Sequence, residues 1–428
     1  MLSPMLASER IRQYDLLGEL AVGGMATVYV GRDDDDRLVA IKSMRQDLAG
    51  DDAFLAMFLD EATLTSRIKH PNVVETLDVV SADGRLLIVM EYVEGVSLGK
   101  LLEHTIAEGK TVPPSIAVRI MCDVLRGLHA AHELVDENDQ PLDVVHRDVS
   151  PQNVIVGVEG RARLLDFGIA KAATQNHVTA FGEIKGKLSY MPPEQQLAEK
   201  VDRRSDVYAA GIVLWEMLAG RRLFASENEA AVVEQVFEGQ IEPPSFYADE
   251  ALPPGIDRIT LRAVALAAAD RWPTTEDMAR ALEAALPAAS RAEVGAFVLA
   301  FGHEEVEQRR SHIQQMTAAD ARSLDPEARL VLEALAAARR YREDAERDAG
   351  SGSASTTIRV LAPFAGRTAP QPFTPPSGHP SAPPALRHAS SPSVPSAPHL
   401  LHPSVPRARH FRSARSPQLL MLLAPCWR

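Results

Sequence analysis

Val144-Val145-His146-Arg147-Asp148-Val149-Ser150-Pro151-Gln152-Asn153 is the stretch whose reading decides the fold. It places a carboxylate, Asp148, five residues ahead of a carboxamide, Asn153, directly after apolar residues that read as a strand or buried turn. One short loop thus offers a base and a metal ligand. Thirteen residues after Asn153 stands Asp166-Phe167-Gly168, preceded by Leu164-Leu165, so an adjacent hairpin delivers a second acidic ligand. Together these groups suit a site that holds a divalent metal on a polyphosphate and positions a hydroxyl for in-line attack. A solvated polar turn followed by a D-x-G turn explains either piece alone. It explains poorly both pieces in this order and spacing.

Composition limits the rest. With 428 residues, 46% of them apolar, the chain has room for two or three domains with ordinary cores. Cys122 and Cys426 are far apart in the sequence and lack metal-ligand spacing, so neither a disulfide framework nor a zinc site is expected, and a reducing, cytoplasmic compartment fits. The opening M-L-S-P-M-L-A-S-E-R has no basic region ahead of a sustained apolar core, and no later apolar run reaches bilayer length. The formal charge of −13 is uneven: residues 351–428 hold eight Arg and no Asp, Glu or Lys, leaving −21 on residues 1–350. A basic nucleic-acid surface on the main body is therefore not expected.

Taken in order, Tyr14 to Leu20 and Ala26 to Val30 flank Gly23-Gly24 and read as a hairpin whose turn can bring backbone N–H groups near phosphate oxygens. Of a G-x-G-x-x-G pattern only the middle Gly23 survives, with Ala21 and Ala26 at the outer positions, and no helix follows at once. A Rossmann or Walker-type loop is disfavoured. A third strand, Leu38-Val39-Ala40-Ile41-Lys42, ends on an ammonium that is costly to bury without a carboxylate or phosphate. The following helix carries Phe54, Leu55, Phe58, Leu59 and Ala62 at helical spacing, with Asp51 or Asp52 as N-cap and Glu61 on its apolar-flanked side. Lys42 and Glu61 make a surface ion pair on the bland reading and a clamp if a phosphate site is near. Strands at Val73–Val80 and Leu86–Val93, five in all, complete a small lobe, and Met90-Glu91-Tyr92-Val93-Glu94-Gly95 connects it to a helical one. There a helix from Ser115 to Leu134 carries Ile116, Ile120, Val124 and Leu128 on one stripe, with Cys122 as a packing thiol.

The ordered set of glycine hairpin, V-A-I-K, helical Glu, M-E-Y-V, H-R-D-x-x-x-x-N, D-F-G and P-P-E resembles the eukaryotic-like protein kinase family, in particular its bacterial Ser/Thr members. The resemblance covers about residues 14–285. It implies an α+β, two-lobed fold, with a β-rich N-lobe over 14–93 and a helical C-lobe over 94–285, and ATP with Mg²⁺ or Mn²⁺ in the cleft between them. By position, Lys42 would hold the α/β-phosphates and pair with Glu61, Asp148 would accept or orient the substrate hydroxyl proton, and Asn153 and Asp166 would hold the metal. Ala21, Gly23 and Gly24 would cover the phosphates. Backbone groups of Glu91 and Val93 would bond adenine between walls made by Val28, Ala40, Met90 and Ile155. Arg147 would meet a phosphate on the segment from Ile169 to Tyr190, where Thr174 and Thr179 are the expected acceptors. Glu194 and Arg271 would form a buried structural pair, and Asp206 would anchor the catalytic loop. Protein substrates follow, with self-association for phosphorylation in trans.

Four departures stand out. The outer glycines are Ala, Ser150 replaces the usual catalytic-loop Lys, Lys187 stands where a Thr follows Gly186, and Pro192 replaces Ala. None touches Lys42, Glu61, Asp148, Asn153 or Asp166, which favours an enzyme over a nucleotide-sensing pseudokinase scaffold or a tail-mediated adaptor. The exchange of Ser150 and Lys187 assigns both to the catalytic set, with the lysine serving from the opposite loop. Residues 1–13 read as a leader. Residues 286–347, with stripes such as Val294, Phe297, Val298 and Phe301 and then Leu330, Leu332 and Leu335, read as a helical extension. Residues 348–428, which hold 15 of the 30 prolines, read as a tail unable to bury enough apolar surface to order itself.

Overall fold

The structure, a computed structural model, describes residues 9–23, 26–45, 52–82, 85–167, 188–226 and 228–323. In the first ninety residues apolar alternation builds one antiparallel sheet in the order β1-β2-β3-β4-β6-β5. Its strands are β1 (Glu9–Ile11), β2 (Tyr14–Val22), β3 (Ala26–Arg32), β4 (Leu38–Met44), β5 (Thr76–Ala82) and β6 (Arg85–Glu91). Helix α1 (Asp52–Arg67) lies between β4 and β5 in sequence and packs Phe58 and Ala62 on Ala26, Met44, Leu86 and Ile88. Leu87 and Val89 of the same strand join Ile11, Leu16, Val39 and Ile41 in a second cluster, as the two-residue period of a strand requires.

Two expectations change here. Residues 9–11 are not part of a leader but a sixth strand, pairing Glu9 with Leu16 and Ile11 with Tyr14 and burying Ile11 to 2% exposure. Three residues are too few to show a period. The strand expected from Val73 starts at Thr76, because Val73 bridges in parallel to Leu164 and the Val74 N–H donates to the Leu164 carbonyl at 2.9 Å. Asn72 Nδ2 donates to the Ala162 carbonyl at 2.9 Å as well, so the link from α1 to β5 is fastened to the second lobe.

The C-lobe opens with β7 (Gly95–Ser97), α2 (Leu98–Ala107) and α3 (Pro114–His132). The short strands β8 (Val154–Gly157) and β9 (Ala162–Leu164) join β7 in a three-stranded sheet. Then come α4 (Pro193–Gln196), α5 (Arg203–Ala219), α6 (Glu229–Glu238), α7 (Pro254–Ala263) and α8 (Thr275–Ala285). Every residue of α5 from Ser205 to Ala219 is buried, so this helix is the axis on which the lobe packs. Asp202 caps its start by accepting from the Arg204 N–H, and Gly220, at φ 62°, ends it in the left-handed conformation. Cys122 lies fully buried on α3, and burial pushes its thiol up to about 12, which suits packing rather than reactivity.

The expected extension contains α9 (Arg291–Phe301), opened by a Ser290–Glu293 capping box, and α10 (His303–Ser323). Leu330, Leu332, Leu335 and the proline-rich tail lie outside the described residues. Among the described residues no helix is long and apolar enough to cross a membrane. The architecture is α+β and two-lobed, a β-rich N-lobe on a helical C-lobe.

Candidate active site

Strand β4, between β3 and β6 in the sheet, delivers a buried Lys42. Its Nζ lies 2.6 Å from Glu61 Oε1 on α1 and 2.8 Å from Asp166 Oδ1 beyond β9. Burial disfavours the ammonium, but the charges of Asp166 and Glu61 more than reverse this, and the lysine pKa stands above its ordinary value. Three elements thus meet on one cation.

The loop after α3 is shaped from below by α5. Asp206 accepts the His146 N–H at 2.8 Å, the Arg147 N–H at 2.9 Å and His132 Nε2 at 2.7 Å. Burial raises the Asp206 carboxyl, yet the hydrogen bond from His132 and the backbone donors carry it below the usual aspartate range. Arg147 sits at φ 64°, and its carbonyl accepts from Gln195 Nε2 at 3.2 Å. That left-handed turn presents Asp148. Asn153 Nδ2 then donates to the Asp148 carbonyl and to Asp148 Oδ2, both at 2.8 Å. Ser150 is buried, and its carbonyl accepts the Asn153 N–H at 3.0 Å.

His146 ties the two acidic loops together. Its Nδ1 accepts the Asp148 N–H at 3.3 Å and its Nε2 donates to the Leu165 carbonyl at 3.1 Å. Burial lowers its pKa, consistent with a neutral ring in that tautomer. The Phe167 ring packs on it with centroids 4.5 Å apart, and the Leu165 N–H donates to the Asn153 carbonyl at 2.9 Å. The spacing of Asp148, Asn153 and Asp166 in the sequence is therefore realised as one cross-braced pair of turns.

Of the residues expected to contact nucleotide, Val28 lies beside Lys42 in the sheet register and beside Ala21 on β2, while Ala40 stands between Val30 and Met90. The Gly23 N–H closes the glycine hairpin by donating to the Ala26 carbonyl at 2.8 Å. Glu91 gives its N–H to the Glu75 carbonyl at 3.0 Å, Val93 is buried, and Ile155 lies on β8 next to Ser97 and Arg163. Farther off, Arg271 Nη1 and Nη2 grip Glu194 at 2.7 and 2.8 Å, with Ser205 Oγ at 2.6 Å on the same carboxylate. Burial raises that carboxyl, but Arg271 and Ser205 together hold it below the ordinary glutamate range. Gly24, Thr174, Thr179 and Lys187 lie outside the described residues.

Sequence reasoning missed His132, Asn72 and Gln195. His146 had a signal, its place in the loop motif; a lone histidine at the end of α3 had none. For a divalent cation the donors fit: Asn153 commits its amide nitrogen to Asp148, which leaves Oδ1 as the atom to offer, and the Asp166 side chain is 44% exposed beyond its contact with Lys42. Oxygen donors of this kind suit a hard metal carrying phosphate. A cation held there would neutralise charge that develops on a phosphoryl group.

The model of the protein kinase domain matches residues 14–280. The chain belongs to the protein kinase family. It is 39% identical over 305 residues to tyrosine-protein kinase MasK of Myxococcus xanthus, covering 69% of this chain and 47% of that one. To serine/threonine-protein kinase PrkC of Bacillus subtilis it is 36% identical over 287 residues, covering 66% and 42%. To serine/threonine-protein kinase PknB of Mycolicibacterium smegmatis it is 36% identical over 286 residues, covering 65% and 43%. Against these curated relatives the chain spans about half their length or less. The kinase domain of PknI from Mycobacterium tuberculosis aligns with a TM-score of 0.50 at 25% identity, covering 66% of this chain and 100% of that domain. Protein kinases generally use ATP with Mg²⁺, and protein substrates go with the family.

Proposed function

We propose that this kinase transfers the γ-phosphoryl group of ATP to serine and threonine hydroxyls of proteins. The observation that carries the reading is the meeting of Lys42, Glu61 and Asp166 at 2.6 and 2.8 Å, with Asp148 and Asn153 locked together beside them. In this proposal Lys42 holds the α/β-phosphates, Asn153 and Asp166 hold Mg²⁺, and Asp148 orients the attacking hydroxyl. Ala21, Gly23 and Gly24 cover the phosphates. The Glu91 carbonyl and the Val93 backbone bond adenine, with Val28, Ala40, Met90 and Ile155 around it. Lys187 supplies the charge that Ser150 cannot. Thr174 and Thr179 receive phosphate from a second copy of the chain and are read by Arg147. Residues 14–285 form the catalytic unit, and residues 348–428 are a separate tail.

A second reading, transfer to tyrosine, is favoured by two observations: MasK carries that name, and Ser150 replaces the lysine usual in Ser/Thr kinases. One assay decides among these. Purified protein incubated with radiolabelled ATP, Mg²⁺ and a generic protein substrate is expected to yield phosphoserine and phosphothreonine, with self-phosphorylation mapping to Thr174 and Thr179. Asp148→Asn should lower kcat by about 10²- to 10⁴-fold, the range for loss of a positioned acid–base group, and Lys42→Met should also be inactive. Phosphotyrosine as the main product selects the second reading. ATP binding without transfer, unchanged by Asp148→Asn, would leave only a pseudokinase scaffold.

A further inference from the structure

Helix α10 runs along the connection between the lobes and beyond it. Before it, α9 is fastened to the C-lobe: Val294, Phe297 and Val298 are buried in the main helical core, and Arg291 Nη1 meets Asp123 Oδ2 at 3.1 Å. At the start of α10, Glu305 Oε1 lies 3.1 Å from His104 Nε2 on α2. The helix next takes hold of the connector, Arg310 Nε donating to Glu94 Oε1 at 2.6 Å and Arg309 Nη1 to the Gly95 carbonyl at 3.0 Å. Nearly two turns on from Arg310 it reaches the N-lobe. Met316 Sδ occupies the space beside Gly18 of β2, 1.9 Å from where a Cβ would stand, and Thr317 Oγ1 accepts from Arg32 Nη2 of β3 at 3.3 Å. Strands β2 and β3 are the two arms of the glycine hairpin.

We infer that α10 is an interlobe brace, with Arg310 and Met316 as positioning residues that hold the hinge and the glycine hairpin at the spacing in which nucleotide binds. The inference rests on the nucleotide-binding reading above. Two lobes joined by a few hinge residues rotate freely, and a ligand that must close them loses affinity to that ordering. A helix rooted in one lobe and seated on the other removes much of it beforehand. In the same structure Lys42 joins Glu61 of the N-lobe to Asp166 of the C-lobe, so the seated helix accompanies an aligned cleft. Helix packing without consequence for the cleft is the competing account, and it leaves nucleotide affinity untouched.

The test is calorimetric titration of the full chain with Mg²⁺-ADP, which is not turned over. Gly18→Ala drives Met316 from its seat, and Arg310→Ala cuts the hinge contact at a side chain 41% exposed, where folding is not at stake. Each is expected to weaken ADP binding about three- to tenfold, the size of coupling carried by contacts remote from a ligand. The KM for ATP should rise by the same factor while kcat stays within about twofold. Arg310→Lys should restore much of the loss. Because Gly18→Ala and Met316→Ala break one contact, the double variant should bind no more weakly than the worse single. Wild-type protein that binds ADP, with variants that bind it equally or more tightly, overturns the brace. Wild-type protein that does not bind ADP overturns the nucleotide-binding reading itself.

Discussion

Lys42 shows how a charge is made tolerable inside an apolar strand, since β4 continues past it to Met44. Glu61 comes nineteen residues later and Asp166 comes 124 residues later, yet both reach the same Nζ. A motif reading could anticipate the first partner, because a helix follows the strand directly. The same logic leads to a prediction for the exchanged pair. If Lys187 replaces the missing catalytic-loop lysine, Lys187→Thr alone should lower kcat by about ten- to a thousandfold, the cost of removing one electrostatic donor from a transition state. Adding Ser150→Lys should recover much of that loss. Steady-state kinetics with a protein substrate checks it, and a single variant with normal kcat or a double variant no better than the single would end the idea. Ser150 is buried, and its carbonyl accepts the Asn153 N–H.

At the scale of elements, α5 organises the C-lobe through its acidic N-terminal turn and through the loops that rest on it. Asp206 is one carboxylate accepting from three donors, and Glu194 is held in a bidentate grip by a fully buried arginine. Glu194→Gln leaves Arg271 charged and buried without its carboxylate, so stability at neutral pH should fall by about 3–5 kcal/mol, measured by urea unfolding. The pH dependence has a definite sign. The folded-state pKa of Glu194 lies below its unfolded value, so its contribution is present above about pH 4.3, the ordinary glutamate value, and is lost as pH falls through the folded pKa. Glu194→Gln should therefore lose less stability than wild type on acidification below that point. Equal acid sensitivity in the two proteins would show that Glu194 is not one of the carboxylates that must be protonated on unfolding.

For the molecule as a whole, the division of the chain predicts what can be removed. Residues 351–428 are rich in proline and arginine and lack every acid, so deletion after Gly350 should leave the melting temperature and the rate on a generic protein substrate unchanged. A drop of several degrees in a thermal melt would mean that the tail docks on the folded part. Deletion after Phe301 differs in kind, because it takes away the helix that touches Glu94, Gly95 and Gly18.

Much of this was legible in the residues alone. Strands and an apolar helical stripe follow from local periodicity, while the two-lobed fold class, the order of the loops and pairs such as Lys42–Glu61 and Glu194–Arg271 are what the resemblance to protein kinases implies, carried by motifs in a fixed order and spacing. Such signals are carried by neighbours in the chain, and so they survive without coordinates. The three-residue strand at Glu9–Ile11 left no period to read, the histidine at the end of α3 looked like any other, and α10 looked like a polar helix with nothing to say about its seat. Their partners lie 74 residues away in the case of His132 and Asp206, and more than 210 in the case of Arg310 and Glu94. Contacts across such separations depend on how helices and lobes pack against one another, and that is decided by tertiary packing, which no stretch of sequence contains by itself.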